Sequence, residues 1–127
     1  MNKRKLFVSG VQGNEVIHYR YNNRMECIFI NNITYFKSDG GYSSVYIAGN
    51  TQIEKKICKT LKYIESNLRE KGFIRCHKFY LINIARVEFF SSRNNIVSIA
   101  GCIIQVSRRE SSSCFRLLLE NGKKDVD

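Results

Sequence analysis

The 127-residue sequence contains no proline and no Ser/Gly-rich tract, so nothing in it marks an internal linker or domain boundary. No apolar run approaches the roughly 18 residues of a membrane helix, and the polar N-terminus lacks the apolar segment of a signal peptide. These absences predict a cytoplasmic domain that does not enter a membrane. Acidic residues are scarce, 11 Asp and Glu against 21 Lys and Arg. The five cysteines (Cys27, Cys58, Cys76, Cys102, Cys114) are an odd number without regular spacing, and no C-x-x-C occurs. That pattern argues against a disulfide framework and against a structural metal. Reduced thiols, mostly packed as small hydrophobes, are the expectation.

What is present is an ordinary globular composition, 43% hydrophobic, long enough for one domain with its own core. The net charge of +10 and a pI near 9.6 favour a polyanionic partner. Each cation seated on a phosphate releases condensed counterions and strengthens binding, so nucleic acid leads, ahead of anionic membrane surfaces.

Residues 1–23 are polar and basic, with a short strand-like Val16-Ile17-His18-Tyr19, and read as an N-terminal arm or edge extension. Residues 24–122 carry the patterned domain, and 123–127 a polar tail. Cys27–Ile30 and Ile33–Phe36 are apolar runs joined by the turn-forming Asn31-Asn32. Asp39-Gly40-Gly41 precedes a strand from Tyr42 to Ile47, and Gly49-Asn50 turns into Thr51-Gln52-Ile53, a β-meander. Between Ile57 and Arg69 the period becomes helical through Ile57, Leu61, Ile64 and Leu68, and Gly72 caps the end. Strands resume at Phe73–Cys76, Ile84–Phe90, Ile96–Ile99 and Ile103–Val106. Ser107-x-x-Glu110 matches a capping box opening a last helix, which stops near Asn121-Gly122.

Catalysis finds little support. His77 adjoins Cys76, but if the segment is a strand its neighbours point to opposite faces and do not easily form a nucleophile–base pair. Asp39-Gly40-Gly41 lacks the Gly-Lys-Ser/Thr ending of a phosphate loop and precedes a strand, so a hairpin turn is expected. No cofactor or metal site is read. The lysines Lys55, Lys56, Lys59 and Lys62 are assigned to the solvated face of the helix. Arg75, Lys78, Arg108 and Arg109 differ, because they bracket strand ends and a helix start, where a side chain can be aimed. Arginine can make paired hydrogen bonds to guanine. In the doublets Tyr35-Phe36, Phe79-Tyr80 and Phe89-Phe90, one member of each is expected in the core.

The stretch from about Arg24 to Glu120 resembles the LytTR DNA-binding domain of bacterial transcription regulators. The resemblance lies in Ile33-Thr34-Tyr35-Phe36, in Tyr42, and in the Leu61 to Leu68 helix. It continues through Phe73-Ile74-Arg75-Cys76-His77-Lys78-Phe79-Tyr80-Leu81-Ile82-Asn83 and Val106-Ser107-Arg108-Arg109. It implies a mainly β (α+β) fold of small antiparallel sheets, with one short helix between strands and a C-terminal helix. It further implies binding of double-stranded DNA by loops in successive major grooves, often at direct repeats, with a possible homodimer on DNA. By motif position, base contacts fall to Tyr42, Lys78 and Arg109; Ser43, Arg75, His77, Ser107 and Arg108 support them or touch phosphates. Phe79 departs from the serine usual in the family. The receiver or sensor domain that often accompanies such domains cannot be residues 1–23, which leaves open a stand-alone regulator or part of a longer one. Two other readings also stay open: a general single-stranded nucleic-acid or RNA-binding module using the aromatic doublets, and a basic protein-interaction domain.

Overall fold

Eleven strands pair into three antiparallel sheets in a computed structural model that describes residues 8–11, 13–49 and 53–127. The first sheet contains β1 (Val8–Ser9), β2 (Val16–Tyr21) and β3 (Arg24–Phe29) in that order. The central sheet has five strands: β4 (Ile33–Asp39), β5 (Tyr42–Ile47), β6 (Ile53–Ile57), β7 (Phe73–His77) and β8 (Tyr80–Asn83), ordered β6-β5-β4-β8-β7. The third is β9 (Val87–Ser91), β10 (Ile96–Ile99) and β11 (Cys102–Gln105). Helix α1 (Leu61–Leu68) lies between β6 and β7, and α2 (Arg108–Glu120) follows β11. The mainly β architecture with one inner helix and one late helix is as the sequence predicts.

Both faces of the central sheet are covered, which gives two cores. Phe36, Val45, Ile57, Phe73 and Leu81 meet Ile17, Tyr19 and Ile28 of the first sheet and Leu61, Ile64 and Leu68 of α1. On the other face Tyr35, Cys76 and Ile82 meet Phe90, Val97, Ile99 and Ile104 of the third sheet and Cys114, Phe115 and Leu118 of α2. Tyr35 and Phe36 are therefore both buried, one in each core, where one buried and one exposed was expected. A register shift between Ile33 and Tyr35 moves the alternation by one residue, so Ile33 shares a core with Phe36.

Local pattern misled at three places. The runs Cys27–Ile30 and Ile33–Phe36 do not form a hairpin; a 3-10 turn over Ile30–Asn32 carries the chain from the first sheet to the central one. The partner of β3 is β2, paired from Val16↔Phe29 to Tyr21↔Arg24 through a turn at Asn22 and Asn23, both at positive φ. Ile57 ends β6, so Lys55 and Lys56 lie on a strand; the helix starts only after Thr60, whose hydroxyl accepts from the Tyr63 amide at 3.2 Å. Ile84–Phe90 is not one strand, because Ile84–Arg86 form a 3-10 turn capped by the Asn83 side chain. The meander turn at Asn50 and the run Thr51-Gln52 fall outside the described residues.

The hairpin at Asp39-Gly40-Gly41 forms as expected, with Gly40 at φ 65. Gly72, at φ 89, ends a 3-10 extension of α1 rather than its last α-turn. The tail is anchored: the Phe90 amide donates to the Lys124 carbonyl and the Val126 amide to the Phe90 carbonyl, and the Ser91 and Ser92 hydroxyls donate to Asp127 and Asp125. Those hydroxyls hold both carboxyls below the ordinary aspartate value of 3.8. Groups with lowered folded pKa values stabilise the folded form above the unfolded value and stop doing so as pH falls through the folded one. Acidification below 3.8 should therefore release the tail first, seen as faster exchange of the Val126 amide. Equal acceleration across the sheets would refute local release.

Candidate nucleic-acid interface

Three elements meet at one end of the central sheet. The β4–β5 turn presents Tyr42, half exposed at 50%. The β7–β8 turn, Lys78-Phe79, is tied to β4 by the Ser38 amide, which donates to the Phe79 carbonyl at 2.9 Å. The start of α2 is tied to β7 by the Ser107 amide, which donates to the Cys76 carbonyl at 2.9 Å. The fold thus gathers Tyr42, Lys78, Arg108 and Arg109, far apart in sequence, on neighbouring exposed positions.

The other expected residues are not all at the surface. Ser43 is fully buried, and its hydroxyl donates to the Lys59 carbonyl at 2.8 Å, tying β5 to the segment that leads into α1. His77 is partly buried; its Nδ1 accepts from the Phe79 amide at 3.1 Å and its ring lies 5.5 Å from that of Phe79. Arg75 faces inward along the turn, donating to the carbonyls of His77 and Lys78 and to Glu65 of α1. Ser107 occupies the N-cap position, but its side chain makes no capping bond, so the capping box does not form. The first turn of α2 is instead held through the backbone, by Ser107 to Cys76 and by the Glu110 amide to the Ser107 carbonyl at 3.0 Å.

The electrostatics favour an anion. Asp39 is bound by Lys56 at 2.8 Å, which holds its carboxyl below the usual range, and Glu65 is bound by Arg75 and Arg69. Among the described residues, Lys37, Lys78, Arg108 and Arg109 form no ion pair. Arg108 and Arg109 sit beside the free amides of a helix start, where an anion is already favoured. Lys37 was not read from the sequence as a site residue. Its Nζ lies 5.9 Å from the Tyr80 ring, its neighbour in register across β4 and β8. Lys37 lies on β4 two residues before the β4–β5 turn, and the pairing with β8 sets it beside the β7–β8 turn. Phe79 is 46% exposed under the Lys78 ammonium, 5.4 Å from its ring centre.

Other chemistry is poorly supplied. Cys76 faces the core, where burial pushes its thiol well up, and burial likewise raises Cys114 to about 12. Both are protonated thiols, and the His77 ring packs beside those of Phe79 and Tyr80 with its Nδ1 taken by the Phe79 amide. Among the described residues, no three His, Cys, Asp or Glu side chains are grouped to hold a metal. No described helix is long and apolar enough to cross a membrane. A cleft of about 620 Å³, lined by Asn31, Thr34, Asn83, Arg86 and Glu88 among others, lies at the opposite end of the sheet and shares no residue with the basic end.

The LytTr DNA-binding domain family matches residues 23–119. The chain belongs to that family. Its fold is similar to the LytTr DNA-binding domain of a Bacillus cereus protein described as a methyl-accepting/DNA response regulator. The TM-score is 0.65 at 19% identity, covering 82% of this chain and 95% of the other. A search of curated protein sequences finds no match. LytTr domains are DNA-binding domains of response regulators, and in this one Lys37, Lys78, Arg108 and Arg109, none of them in an ion pair, lie at one end of the central sheet.

Proposed function

We propose that this LytTr domain reads specific double-stranded DNA sequences, placing its β4–β5 turn, its β7–β8 turn and the start of α2 in successive major grooves at direct-repeat sites. The observation that carries this reading is the convergence of three exposed elements with unpaired cations on one end of the sheet. Tyr42, Lys78 and Arg109 are assigned to base edges, because each is exposed at the tip of a rigidly held element. Arg108 is assigned to phosphate, and Ser43, Arg75, His77 and Ser107 to support. We assign the binding unit to residues 24–122, braced by β2 on one side and by the anchored tail on the other. Two copies would meet on paired sites as a homodimer on DNA. The input would come from a receiver or sensor domain outside these residues, and the domain would act in the cytoplasm.

The test is selection from a random duplex library at physiological salt, followed by sequencing of the bound fraction. The expected result is an enriched motif repeated about one helical turn apart. Salt-sensitive retention without enrichment would overturn the reading and point to backbone-only or single-strand binding.

A further inference from the structure

The turn at the centre of the proposed interface is not self-supporting. Lys78 and Phe79 alone join β7 to β8, and neither has a positive φ. Two-residue hairpin loops ordinarily use positive φ, because those turns match the twist of the flanking strands. The pairing also slips between Arg75 and His77, a bulge that interrupts the ladder beside the turn. Something else must hold its shape.

Arg75 does so. Its Nε donates to the His77 carbonyl at 3.2 Å and one terminal nitrogen to the Lys78 carbonyl at 2.8 Å. The other terminal nitrogen donates to Glu65 Oε1 at 2.7 Å. Both side chains of this ion pair are about one-fifth exposed, at 22% and 21%, whereas the Arg69 that also reaches Glu65 is 70% exposed. The planar guanidinium suits a fork of three fixed acceptors. All three of its nitrogens are engaged.

We infer that Glu65 is a positioning residue for DNA binding: it holds Arg75 against the His77 and Lys78 carbonyls and so sets the aim of Lys78 without touching the duplex. The inference rests on the reading that this turn meets DNA. Arg75 then acts as a strut rather than a phosphate contact, and α1 becomes part of the recognition apparatus.

Simple electrostatics predicts the opposite sign, which makes the test decisive. Removing an acid near a phosphate-binding surface should tighten binding to every duplex. Positioning predicts that Glu65→Ala loses about tenfold in affinity for the selected operator, as networked residues without ligand contact do, with no loss on a shuffled duplex. Arg75→Lys should behave alike, since an ammonium cannot reproduce the fork, and Glu65→Gln, which keeps an acceptor, should recover part of the loss. The Phe79 amide should exchange faster in Glu65→Ala even without DNA, because its bond to His77 depends on the turn. If Glu65→Ala bound the operator as tightly as the unsubstituted chain while Lys78→Ala did not, the positioning role would be refuted and the interface reading would stand. If Lys78→Ala left operator affinity intact, the interface reading would fail and take the positioning role with it.

Discussion

Replacing Lys78 and Arg109 together with alanine should erase the preference for the operator over a shuffled duplex. Each residue that reads a base contributes about 1–3 kcal/mol of discrimination. The two sit on separate elements, the β7–β8 turn and the first turn of α2, with no shared partner, so their losses should add to about 2–6 kcal/mol. Binding to the shuffled duplex should weaken much less, through the two lost charges alone. Lys56 is the control, an exposed lysine on β6 already bonded to Asp39. Lys56→Ala should weaken binding evenly across sequences or not at all. Titrations of operator and shuffled duplex at one fixed salt concentration separate these cases. Parallel losses on both duplexes in the double variant would reduce Lys78 and Arg109 to phosphate contacts.

Phe36→Ala should be the most destabilising single substitution of an aromatic in the first core. The ring is fully buried on the middle strand of the central sheet, 5.8 Å from the ring of Phe73, and packs beneath both the first sheet and α1. Truncating a buried phenylalanine removes its transfer energy and leaves a cavity, at a cost of about 3–5 kcal/mol. Against the total of roughly 5–15 kcal/mol usual for a domain, that is a large fraction. Phe79→Ala, half exposed on the turn, should leave the urea midpoint nearly unchanged. Similar midpoint shifts in the two variants would mean that the first core is not closed over Phe36.

The same chain shows where sequence suffices and where it does not. Spacing and turn chemistry are local, and they located the Asp39-Gly40-Gly41 hairpin, the amphipathic face of Leu61, Ile64 and Leu68, and the end of α2 at Asn121-Gly122. Motif order was enough to indicate the family, and with it the candidates Tyr42, Lys78 and Arg109, all of which the fold exposes at one end. A run of apolar residues, however, says that a strand is buried without saying beside which strand. The partner of Arg24–Phe29, and the change of period at Ile57 from strand to helix, were settled by which face could reach a core. Tertiary contact also decided that Ser43 is a buried tie and that Ser107 is held by the Cys76 carbonyl instead of a capping box. It joined Arg75 to Glu65, residues on different elements that no periodicity relates. Periodicity encodes how a segment faces its surroundings; register, bulges and long-range hydrogen bonds choose what those surroundings are, and they exist only once the sheets have stacked.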